Sequence, residues 1–95
     1  MVLEGFTLVE KEVIADYHFP ADEVLKKESE IATRKKSLTR AIALGNLEHQ
    51  KVRIYFIDDE GEKYVETTIW GVTDHEILLK KNVMLPIHRI IKLEI

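Results

Sequence analysis

The chain has 95 residues, 45% of them hydrophobic and 33% charged, with a net charge of −3, which describes one globular domain and excludes a broadly basic nucleic-acid binder. With no cysteine there are no disulfides, no thiol catalysis and no cysteine-ligated zinc or iron–sulfur centre. No apolar run approaches the roughly 18 residues that span a bilayer, and the opening Met1–Val13 has glutamates where a signal peptide would have its apolar core, so a cytoplasmic location is expected.

Phe6, Leu8 and Val9 around Gly5 read as a short strand or an arm. From Glu12 to Phe19 the residues alternate, with Val13, Ala15, Tyr17 and Phe19 on one face, and predict a strand that Pro20 ends. Asp22 is placed to cap a helix running towards Leu44, with Gly45-Asn46 as its stop. Val24, Ile31, Leu38 and Ile42 form the apolar stripe of that helix. The stripe has no anchor between Thr33 and Ser37, so one long helix and two helices joined near Lys36 both fit.

Val52, Ile54 and Phe56 alternate with Arg53, Tyr55 and Ile57 in the period of a half-buried strand, which places Tyr55 on the outside. Asp58-Asp59-Glu60-Gly61 follows as a reversing turn. Four more strands are predicted: Glu62–Thr73, bending near Gly71, then Glu76–Lys81, Val83–Ile87 and Ile90–Ile95. Five strands on such short links predict a small barrel, mostly β with α, behind an N-terminal strand and one or two helices. The divisions within the single domain are an arm and strand at 1–20, a helical segment at 21–46 and a barrel at 50–95.

Charge is unevenly spread, with +4 over Lys26–Arg40 and −7 over the remainder. Arg34, Lys35, Lys36 and Arg40 fall within two helical turns, the arrangement that would contact phosphates; the alternative is a solvated helix face. Of the aromatic residues, Tyr55 is the candidate for base stacking, and Trp70 beside Gly71 is expected in the core. His18, His49, His75 and His88 stand at strand ends or turns without metal-ligand spacing, and Asp58, Asp59 and Glu60 lack the spacing of a calcium loop. No nucleophile elbow and no glycine-rich phosphate loop occurs, so neither an enzyme nor a cofactor is expected.

The segments Val52–Tyr64, Val72–Asn82 and Met84–Ile91 resemble the Sm-like small barrels, with the closest outline that of the Hfq-type bacterial RNA chaperones. The resemblance covers Ser37–Ile95. It implies a bent five-stranded barrel, binding of single-stranded RNA and ring assembly through edge strands. Where Hfq-type proteins carry a Tyr-Lys-His run this chain reads Pro86-Ile87-His88, and where Sm proteins carry an asparagine and an Arg-Gly pair it reads Asp74-His75 and His88-Arg89. The resemblance thus adds His88 and Arg89 to the candidate RNA contacts. Two functions follow as expectations: a non-catalytic RNA-binding or RNA-associated regulator, or a protein-interaction or self-assembly module using the barrel edges.

Overall fold

The computed structural model describes residues 3–95. In chain order its elements are β1 (Thr7–Leu8), α1 (Glu28–Glu48), β2 (Val52–Ile57), β3 (Glu62–Thr67), β4 (Ile69–Val72), β5 (Glu76–Leu79), β6 (Val83–Pro86) and β7 (Ile90–Glu94), with 3-10 turns at Lys11–Asp16, Lys80–Asn82 and Ile87–Arg89. The strands pair as two sheets, β1-β3-β2-β7 and β4-β5-β6, and not as one closed ladder. The architecture is a mix of strands and one main helix.

β2 is central because both its neighbours are long: it pairs antiparallel with β3 and with β7. Val52, Ile54 and Phe56 turn inward and meet Val65, Ile69, Ile77, Leu79, Leu85, Ile90 and Leu93 in one core, which Leu38 and Ala41 of α1 cover. The chain crosses from the first sheet to the second at Thr68, between β3 and β4, and not at Gly71. Thr68 is buried there, with its hydroxyl donating to the His49 carbonyl at 3.3 Å and its own carbonyl accepting from Lys80 N–H at 3.2 Å.

The N-terminal fifth departs most from expectation. Glu12–Phe19 is not a strand: Lys11–Asp16 winds as a 3-10 turn that buries Ile14 and leaves Val13 exposed. With no strand partner available, a turn lets one side chain reach the core beside β6, while Tyr17 and Phe19 lie 6.4 and 6.0 Å from the Phe56 ring. Ahead of this turn, β1 runs parallel to β3 and brings Phe6 edge-on to Tyr55 at 5.3 Å. The first two positions of the expected arm lie outside the described residues.

The helix is a single uninterrupted one that begins six residues later than predicted and runs past Gly45-Asn46 to Glu48. Asp22 does not cap it. Instead Glu30 accepts from the Lys27 N–H at 3.4 Å at the N-terminus, and His49 ends the helix in the left-handed region at φ 54°. Gly45 is a contact point and not a stop, since a Cβ there would lie 2.3 Å from the Ile69 carbonyl oxygen. The buried side of α1 is therefore Arg34, Leu38, Ala41 and Gly45, a helical stripe in which an arginine fills one place.

Candidate nucleic-acid interface

Four of the seven candidate contacts are committed to the fold. Arg34 is only 6% exposed; its guanidinium forks onto Glu23 at 2.5 and 2.8 Å and donates to the Ile90 carbonyl at 2.9 Å. Arg89, likewise buried, donates to the Ile57 carbonyl at 2.9 Å and to both the carbonyl and the carboxylate of Asp22, at 2.9 and 3.1 Å. His88 is half-buried, with Nε2 3.0 Å from the Pro20 carbonyl and its own carbonyl accepting from Val24 N–H at 3.0 Å.

These three residues converge on one segment. Residues 20–24 have no regular structure of their own, and Arg34, His88 and Arg89 hold that strap against the start of β7. The physical reason is backbone accounting: the strap and the beginning of β7 carry polar groups that burial would otherwise leave unpaired, and arginine, with five donors in a rigid fork, satisfies several at once. Glu23 sits below the usual carboxylate range chiefly because Arg34 donates to it.

Tyr55, expected outside, is fully buried. Strict alternation does turn it away from the core of Val52, Ile54 and Phe56, but the N-terminal arm folds over that second face. Its hydroxyl donates to Glu94 at 2.5 Å and accepts from Leu3 N–H at 3.3 Å, and its ring packs on Phe6 and on Tyr64. Burial, reinforced by the Glu94 carboxylate, raises the phenol above its ordinary value. A base cannot stack on this ring without displacing residues 3–9.

Lys35, Lys36 and Arg40 remain exposed on α1, and among the described residues no ion pair engages them. Every other arginine pairs with a carboxylate: Arg34 with Glu23, Arg53 with Glu66 and Glu94, Arg89 with Asp22. Lys36 and Arg40 are four residues apart, a like-charge spacing that costs a helix about 0.2–0.5 kcal/mol. Lys35 also stands on the rim of a groove of about 390 Å³ between α1 and the end of β4, whose floor is Ile31, Leu38, Ile42, Val72 and Ile87 and whose far rim is Asp74.

Trp70 reverses its expectation in the opposite sense. It is 47% exposed, and it occupies a register shift between β4 and β5. Its mixed surroundings in sequence, with threonines and apolar residues on both faces of 62–73, signal an irregular strand; an inserted residue is not itself visible without the partner strand.

Asp58, Asp59 and Glu60 bring one oxygen each within 4.8 Å of one another. Asp58 is already occupied by the N–H groups of Glu60 and Gly61, at 3.0 and 2.9 Å, and by Lys63 at 2.6 Å, so the cluster is turn and ion-pair chemistry. No helix among the described residues is long and apolar enough to cross a membrane.

Comparison with family models, with curated proteins and with solved structures gives no significant match.

Proposed function

We propose that this chain is a non-catalytic RNA-binding module of Sm-like outline acting in the cytoplasm, in which Lys35, Lys36 and Arg40 contact the phosphates of a single strand. The observation that carries this reading is the contrast among the cations: Arg34, Arg53 and Arg89 are neutralised by carboxylates, whereas the three on the exposed side of α1 have no carboxylate partner among the described residues. Three contacts are few, so binding is weak and strongly salt-dependent. Neutralising three phosphates of a single strand gives a slope of about −2 in log K against log salt.

The test is a salt titration of RNA binding, with Lys35, Lys36 and Arg40 all replaced by glutamate in a second protein. The expected result is binding at about 50 mM salt that falls with that slope and disappears in the triple variant, with an unchanged melting temperature because all three side chains are exposed. Wild-type protein that fails to bind at the low-salt end refutes the proposal.

The α1–β4 groove favours a second reading. An apolar floor between a cation and a carboxylate suits a short protein segment with an apolar anchor. Binding that survives nuclease treatment and is lost on Ile42→Glu would establish it. Edge-to-edge assembly through β7 is part of neither reading, because the His88 and Ile90 carbonyls already accept from Val24 N–H and Arg34.

A further inference from the structure

We propose that Trp70 is a stacking platform for an unpaired nucleobase, an inference that rests on the single-stranded RNA reading above and names a second part of that surface. The strand register carries it. Ile69 stands across from Leu79 and Val72 across from Ile77. Leu79 and Ile77 are two residues apart and both fully buried, so they share the core face of their strand. The register puts Ile69 and Val72 on that face although they are three residues apart; Ile69 is fully buried there, while Val72, at the end of the strand, is 47% exposed. One residue has been inserted into β4, a β-bulge, and it leaves Trp70 and Gly71 together on the outer face across from Leu78.

The outer face is open beside the indole. A Cβ built on Gly71 would meet no atom within 4 Å outside its chain neighbours, so the space over this backbone position is open. Lys80 is the nearest cation that the strand register supplies: it follows inward-facing Leu79, its N–H bonds the carbonyl of Thr68, two residues before Trp70, at 3.2 Å, and its side chain is exposed with no ion pair among the described residues. An exposed indole on a strand whose neighbouring turn carries an unpaired cation offers both parts that a nucleotide needs, a platform for a base with a π face and a charge for its phosphate. Val72, two residues along the same strand, lines the groove that Lys35 borders. Stacking of this kind tolerates any base, since every base has a π face.

Trp70 is the chain's one tryptophan, so its emission reports directly on the site. Intrinsic fluorescence is followed while the full chain is titrated at low salt with a uridine-rich 12-mer RNA and with a fully abasic strand of equal phosphate number, and affinities, including those of variants lacking the tryptophan, are read from the anisotropy of end-labelled strands. The expected result is quenching by the RNA and an affinity about 5- to 100-fold above that of the abasic strand, the range that one stacked base supplies. Trp70→Ala then lowers RNA affinity to the abasic level and leaves abasic binding unchanged, while Trp70→Phe keeps most of the preference. Equal affinity for the two strands with unquenched emission overturns the platform and leaves the helix-cation reading standing; binding of neither strand overturns both. Quenching with unchanged affinity in Trp70→Ala overturns it as well. So does a blue shift that grows with protein concentration in the absence of oligonucleotide, which would assign the face to self-association.

Discussion

Arg34 shows how one side chain can be read correctly for its chemistry and wrongly for its place. A guanidinium in a basic run is equally suited to a phosphate, a carboxylate or a carbonyl, and only the position of residues 20–24 decides which it meets. Its fork on Glu23 and its bond to Ile90 predict that Arg34→Lys, which keeps the charge and loses the fork, destabilises the fold by about 1–2 kcal/mol, and Arg34→Ala by about 2–3 kcal/mol, measured by urea denaturation. Once folded, the lysine variant should bind RNA like the parent, because Arg34 is not on the exposed side of α1. Loss of RNA binding in a well-folded Arg34→Lys protein would return this residue to the interface. Tyr55 makes the same point with a ring: alternation gave its direction, but not the arm of residues 3–9 that covers it.

At the scale of the elements, α1 covers strand edges as much as it covers the core. It packs on both β4 and β7. Successive carbonyls along a strand point opposite ways, so Ile69, following a Thr68 carbonyl that is bonded to Lys80, aims its own oxygen at the helix. Gly45 lets the helix backbone come that close. This gives a sharp prediction, because two effects oppose each other. Alanine is better than glycine in a helix interior by about 1 kcal/mol. Its Cβ, however, would lie 2.3 Å from the Ile69 oxygen, which is backbone and cannot swing aside. Overpacking of this kind costs about 1–3 kcal/mol, so Gly45→Ala should lower the melting temperature despite its higher helix propensity. A raised melting temperature would mean that α1 can slide off β4 at little cost.

Across the whole molecule, the acid side of the stability curve follows mainly from three carboxylates, each at least partly buried, that ionise more readily in the folded chain than in the unfolded one. For Asp58, burial works against ionisation, but Lys63 and the N–H groups of Glu60 and Gly61 outweigh it and hold the group below its ordinary 3.8. Glu23 and Glu94 fall below 4.5, the first mainly through Arg34 and the second mainly through the Tyr55 hydroxyl. Depressed carboxylates stabilise the fold fully above their unfolded values, and that contribution is lost as pH falls through the lower folded ones. Urea midpoints should therefore be level from neutral pH down to about 5 and decline below about 4. Asp58→Asn should lower stability at neutral pH by about 3 kcal/mol, since it breaks a pair whose carboxylate is fully buried, and should flatten part of that decline. An acid limb unchanged in the variant would show that Asp58 is not among its causes.

Local pattern was sufficient for the C-terminal strands. Period-two alternation, Asp58–Gly61 and Asn82 located β2, β5, β6, β7 and the start of β3 to within a few residues, because each strand and turn there is specified by contiguous side chains; the run expected over Glu62–Thr73 is instead two strands of different sheets, divided at Thr68. A helical segment was also visible, though not that it is one unbroken helix, as was the exposure of Lys35, Lys36 and Arg40. Its limits were not, since Asp22 and Gly45, good cap and stop residues in isolation, are engaged by Arg89 and Ile69 from far along the chain. Tyr55 and Trp70 were each assigned to the wrong side for one reason: burial depends on what lies opposite a residue, and a strand's periodicity says only that its faces differ. The amino-acid sequence by itself determined most of the C-terminal strands and the exposed run of cations on the helix. Only the tertiary structure decided that Arg34, His88 and Arg89 fasten a strap and that a bulge turns the one tryptophan to solvent, because those outcomes depend on pairing between residues distant in sequence.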